Sequence, residues 1–200
     1  MNKSYENYKQ ARDAAWRILL KCKADRLPIS VSAVCNAIGI HAHTYTRARG
    51  ALKRINLDAA TQETDGFCIN MNGEYHIFYD DSLPVPRQRF TIAHEIGHVV
   101  LGHIPDGSRT RRNREICAHD LPEETQANQF AARLLAPACV LHELRAFEPD
   151  RIAELCNISI TAARFRAERM AVLEQRQKYY LSPLERAVCK QFSDYIKSYR

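Results

Sequence analysis

The sequence predicts an α+β fold of mostly helices, with a small antiparallel β-sheet and a helical C-terminal module. Three observations carry this reading. Apolar residues recur at helical spacing in several stretches, two runs of β-formers flank a single Asn72-Gly73 dipeptide, and everything beyond residue 138 reads as helix. The 200 residues are 46% apolar and 26% charged, close to ordinary globular composition, which excludes disordered and collagen-like classes.

Residues 5–24 form an amphipathic pattern with Tyr8, Ala11, Ala15, Ile18, Leu19 and Cys22 on one stripe, broken at Pro28. A short helix over Ser32–Ile38 stops at Gly39. Residues 40–64 carry no clear period; a strand and a turn are expected there. Gly66–Met71 and Glu74–Tyr79 read as a β-hairpin, because Asn72-Gly73 tolerates the positive φ angles of a type I′ turn. Pro84 and Pro86 announce a helix over Val85–Leu101, closed by Gly102 and Pro105. Gly107–Glu115 is polar and arginine-rich, a loop. Asp120 and Glu123 have capping-box spacing ahead of a helix whose stripe is Ala127, Phe130, Ala131 and Leu134. Pro149, Asn157 and Pro183 divide the helical remainder.

No uncharged apolar run approaches the ~18 residues of a membrane span, and residues 1–23 lack the apolar centre of a secretory signal. No membrane association and a cytoplasmic location are therefore expected. Seven cysteines without a C-x-x-C pair read as buried thiols of a reducing compartment. Of the +6 net charge, +5 falls in residues 151–200, which hold ten Lys/Arg against five Asp/Glu. That balance fits a solvated helical face first, and contact with an acidic protein or a nucleic acid second.

The chemistry concentrates in RFTIAHEIGHVVLGH, where His94, Glu95 and His98 spell H-E-x-x-H. Four helical residues advance about 400°, so the two imidazoles stand one turn apart on one face and can share a Zn²⁺ ion. Glu95, rotated about 100° from His94, lies beside the metal as a proton acceptor rather than a ligand. A third ligand is needed. His103 misses the spacing of the longer H-E-x-x-H-x-x-G-x-x-H pattern by one place, and on a continued helix it would stand about 180° from His94; it reads as a helix-end histidine. Cys117 and His119 are weaker candidates, without matching partners. Glu124, in the first turn of the next helix, is preferred over Glu123, whose capping position gives it a structural task. Asn128, one turn on, can orient a ligand imidazole. Two imidazoles and one carboxylate favour zinc over manganese or iron.

RQRFTIAHEIGHVVLGH followed by EETQANQFAARLLAP resembles the ImmA/IrrE family of zinc metallopeptidases, over roughly Gly66–Pro137. The resemblance implies a zincin-like fold, with residues 1–140 as the peptidase domain and residues 141–200 as a helical, helix-turn-helix-like module. His94, His98 and Glu124 match the family's metal ligands and Glu95 its catalytic glutamate. Glu124, Asn128, Ala131 and Ala132 carry the E-x-x-x-N-x-x-A-A pattern. Ala136 departs from the usual methionine, a matter of packing. The resemblance further implies a site-specific endopeptidase that cleaves a helix-turn-helix repressor, an anti-repressor of a mobile element or stress operon.

The expected mechanism is metal-assisted peptide hydrolysis with Glu95 as general base. Tyr79 is a candidate oxyanion donor, and the hairpin a candidate edge for an extended substrate. The alternative reading is a DNA-binding regulator with a structural or sensory metal site. It rests on residues 151–176, which read as helix, turn and helix with Ser159 as N-cap, and on Arg164, Arg166 and Arg169 along the second helix.

Overall fold

The computed structural model describes residues 3–110 and 122–199, with side chains from residue 6 onward. Helix α1 (Lys3–Lys21) buries Ala11, Ala15, Ile18 and Leu19, the expected stripe. Helix α2 (Val31–Ile38) is capped by the Ser30 hydroxyl, which accepts from the Ala33 amide, and ends at Gly39. Residues 40–64 contain the expected strand, β1 (Ile40–Thr44), and then helix α3 (Tyr45–Arg54), which was not expected, and the single turn α4 (Ala60–Glu63). Strands β2 (Gly66–Met71) and β3 (Glu74–Tyr79) form the expected hairpin, with both Asn72 and Gly73 at positive φ.

The sheet order is β1-β3-β2. The hairpin is antiparallel, and β1 adds to it in parallel, Ile40 against Tyr75 through Thr44 against Tyr79, so the sheet is mixed. A parallel pair needs a crossover, and residues 45–65 supply it with α3 and α4. One face of the sheet, with Cys68 and Ile77, joins the main core; the other packs Phe67, Ile69 and Phe78 on Tyr45, Ala48 and Leu52 of α3.

Among the described residues that second face is covered at its aromatic end. At the other end His41, His43 and His76 stack on one another, with His43 Nε2 and His76 Nδ1 3.3 Å apart. Burial, and then the neighbouring imidazoles, hold His43 and His76 below the ordinary histidine value. The unfolded chain therefore takes up protons first as pH falls through about 6.5, and stability drops until the folded values are passed. The urea midpoint is expected to fall between about pH 7 and 5, with a shallower fall in His43→Gln. Equal pH dependence in both proteins would contradict this account of the histidine face.

Helix α5 (Val85–Val100) starts at Pro84-Val85-Pro86 and buries every residue from Thr91 to His98. Arg89 ties it to distant chain, donating to the carbonyls of Ile29, Cys156 and Asn157. Helix α6 (Pro122–Leu135) lies across it. The contact is close because of Gly97: a Cβ there would stand 3.1 Å from Phe130 Cδ1 and 3.2 Å from Ala127 Cα. A side chain at position 97 would push α6, and Glu124 with it, away from α5.

Five helices follow: α7 (Ala138–Glu143), α8 (Pro149–Cys156), α9 (Ile160–Gln175), α10 (Pro183–Gln191) and α11 (Ser193–Ser198). Asn157, at φ 49°, turns α8 into α9, and the Ser159 hydroxyl caps α9 by accepting from the Ala162 amide. Helix α10 returns to α1, where Gln191 Nε2 donates to the carbonyls of Leu19 and Ala24, and Val188 and Phe192 join the core that contains Ala11 and Leu19. Of the three arginines on α9, Arg164 is exposed, Arg166 is buried and Arg169 is half-buried against Tyr8. The six described cysteines are all unpaired thiols. Among the described residues no helix is long and apolar enough to cross a membrane.

Candidate metal centre

Helix α5 presents His94 and His98 from successive turns, and α6 brings Glu124 to meet them. All three side chains are buried, and their donor atoms lie within 4.8 Å of one another. His94 Nε2 and His98 Nε2 are 3.0 Å apart, Glu124 Oε2 is 3.3 Å from the first, and Oε1 is 3.2 Å from the second. Glu123, the rival candidate, is exposed. Burial alone would raise the Glu124 carboxyl, yet at acid pH, where the two imidazoles are protonated, their hydrogen bonds and charge outweigh it and hold the group well below the usual carboxylate range.

The far side of each imidazole fixes its tautomer. His94 Nδ1 stands 2.9 Å from Asn128 Oδ1, an acceptor, so Nδ1 carries the proton. His98 Nδ1 stands 3.1 Å from His103 Nδ1, while His103 Nε2 stands 3.1 Å from Gln126 Oε1. The Gln126 oxygen accepts a hydrogen bond from His103 Nε2–H; His103 Nδ1 is then an acceptor and receives a hydrogen bond from His98 Nδ1–H. Both Nε2 lone pairs consequently face each other beside a carboxylate. Such a pocket is repulsive by itself and is satisfied by a cation. Tetrahedral zinc with 2.0–2.1 Å bonds sets its nitrogens about 3.3 Å apart, near the observed separation. The residues present fit a metal ion.

Glu95 is also fully buried. Its Oε2 accepts from the Thr110 hydroxyl at 2.9 Å, and that hydroxyl accepts from the Cys68 amide. Thr110 belongs to a segment, residues 107–110, laid along the outer edge of β2: Asn70 N donates to Ser108 O, Gly107 N to Asn70 O and Thr110 N to Cys68 O. The hairpin therefore offers no free edge on its β2 side. The expectation of an open edge strand there is corrected, because the chain supplies its own pairing. Tyr79 is half-buried against the core and makes no hydrogen bond to His94, Glu95, His98 or Glu124. Cys117, His119 and Asp120 fall outside the described residues.

His103, expected as a helix-end histidine, lies within the site. The helix ends where Gly102 was expected to close it, so the 180° offset of a continued helix does not apply to His103. Gly102, at φ 75°, closes it as a Schellman turn, with His103 N bonded to His98 O and Gly102 N to Val99 O. The reversal folds His103 back over His98. Gly102, two residues past Val100, was the available signal. Partners of this kind are worth about 10–100-fold in metal affinity. His103→Phe should therefore lose zinc at a chelator concentration that leaves wild type loaded. Unchanged retention would remove His103 from the site.

The family model described as Peptidase_M78, IrrE N-terminal-like domain, matches residues 52–174, more than half of the chain and the whole of the α5–α6 site. A comparison with curated proteins finds no match. With the convergent His94, His98 and Glu124 in place, the match settles the relationship: the chain belongs to the ImmA/IrrE family of metallopeptidases.

Proposed function

We propose that the protein is a zinc-dependent, site-specific endopeptidase of the cytosol whose substrate is a helix-turn-helix transcriptional repressor. The observation that carries the reading is the buried meeting of His94, His98 and Glu124, both imidazoles with their Nε2 lone pairs free. Three protein ligands correspond to catalytic zinc sites rather than closed structural ones. A zinc ion held by His94, His98 and Glu124 would supply Lewis acidity for the water and the scissile carbonyl. His94 and His98 are held for it by Asn128 and by the His103–Gln126 pair. Glu95 has the role of proton carrier, accepting from the attacking water and delivering to the leaving amine. Thr110 steadies one of its oxygens without neutralising it. Zinc is preferred over other divalent ions by the donor set.

The alternative, a DNA-binding regulator, draws no support from α9, where Arg166 and Arg169 are turned into the protein. The test is incubation of the zinc-loaded protein with the helix-turn-helix repressor encoded nearest to its gene. Mass spectrometry is expected to find one new pair of fragments, absent when a zinc chelator is present. An intact repressor, or cleavage indifferent to chelation, would count against the proposal.

A further inference from the structure

Between α1, α6, α9 and the chain entering α10 lies a cavity of about 560 Å³, inside the size range of small-molecule sites. Seven of its lining residues are lysine or arginine, and two, Asp13 and Glu185, are acidic. Asp13 is engaged by Arg12 at 2.8 Å. Arg133 donates to the Gln129 carbonyl at 2.7 Å but pairs with no carboxylate among the described residues. Arg166 is only 8% exposed, and its Nε has no hydrogen-bond partner among the described residues; the buried Nε of Arg169 has none either. No carboxylate among the described residues lies within ion-pair distance of Arg133, Arg166 or Arg169.

Two of these cations, Arg133 and Arg169, instead share a phenol, with Arg166 beside them in the lining. Arg133 and Arg169 lie over the Tyr8 ring, 4.4 and 5.1 Å from its centroid, and Arg169 donates to the Tyr8 oxygen at 2.7 Å. Burial would raise the Tyr8 hydroxyl, yet the guanidiniums pull it below its ordinary value. Burial, and then Arg133, depress Arg166 to about 10. Buried charges in proteins are ordinarily paired or bind a ligand, because an unpaired one is costly. Planar guanidiniums match phosphate oxygens in pairs. Trp16, Leu173 and Leu184 give the same cavity an apolar wall for an organic group.

We propose that this cavity is a binding site for a phosphate-bearing small molecule of nucleotide size, with Arg133, Arg166 and Arg169 gripping the phosphates. It is separate from the metal centre: Arg133 lies nine residues beyond Glu124 on α6, about 14 Å along the helix. The site does not depend on the peptidase reading.

The test is calorimetric titration of the full-length protein with inorganic pyrophosphate, ADP and adenosine at fixed ionic strength. Pyrophosphate and ADP should each bind saturably, one per chain, and adenosine should not. ADP binding more tightly than pyrophosphate assigns the apolar wall to the organic group; equal affinity assigns the site to the phosphates alone. Arg166→Gln and Arg169→Gln should each weaken pyrophosphate by at least tenfold, whereas Glu124→Gln should not. Arg166→Gln should also melt no lower than wild type without ligand, since it removes an unpaired buried charge; should it fail to fold, Arg169→Gln decides. Absence of saturable pyrophosphate binding, unchanged binding in the arginine variants, or loss in Glu124→Gln would each overturn the proposal.

Discussion

Replacing Glu95 by glutamine is expected to lower peptide hydrolysis by about 10²–10⁴-fold while leaving the zinc content unchanged. The amide keeps the volume of a fully buried side chain and can still accept from the Thr110 hydroxyl, so the packing between α5 and the segment along β2 persists. What disappears is the capacity to take and return a proton. Metal content by atomic absorption and turnover on the cognate repressor separate the two effects. Full activity in Glu95→Gln would remove the general-base assignment. Loss of zinc along with activity would instead show that Glu95 belongs to the ligand set.

Glu124→Gln is expected to have the opposite division of effects. Here the metal should be lost first, and activity only as a consequence. The carboxylate is the sole negative charge in contact with the two Nε2 atoms among the described residues, and those imidazoles hold it deprotonated far into the acid range. An amide of equal size keeps the helix contact set by Gly97 but removes the charge that favours a divalent cation. Zinc affinity should therefore fall by more than the about 10–100-fold assigned to hydrogen-bonding partners of the ligands. Competition with a chromophoric chelator reads this directly. Wild-type affinity in Glu124→Gln would mean that another group completes the site.

The parts of the fold that were legible in the sequence are those fixed by short-range rules. Asn72-Gly73 specifies its turn by φ, Ser159 caps α9 through its own hydroxyl, and the apolar stripe of α1 follows the helical period. His94, His98 and Glu124 were legible because two of them share a helix face and the third opens the next helix. Their convergence on one point rests on Gly97, whose lack of a side chain permits the close crossing.

What escaped depended on distant chain. A strand was expected within residues 40–64 and β1 is there, but its parallel pairing with β3 and the helix α3 that makes the crossover were not legible, because both depend on where the hairpin lies. His103 joined the site through a backbone reversal that no helical extrapolation contains. Arg166 and Arg169 look like surface charges in a basic segment, and only the placement of α1 and α6 against α9 turns them inward. Periodicity reports that a helix has two faces, not which neighbour covers each of them.

The central claim is that two imidazoles and one carboxylate from neighbouring helices hold a single ion and leave room for solvent in its coordination sphere. X-ray absorption at the zinc edge, on protein loaded with one equivalent and desalted, measures this. Two nitrogen scatterers of imidazole type at about 2.0–2.1 Å, with the rest of the shell oxygen, is the predicted result. A third imidazole or a sulfur in the shell, or no zinc retained, would contradict it.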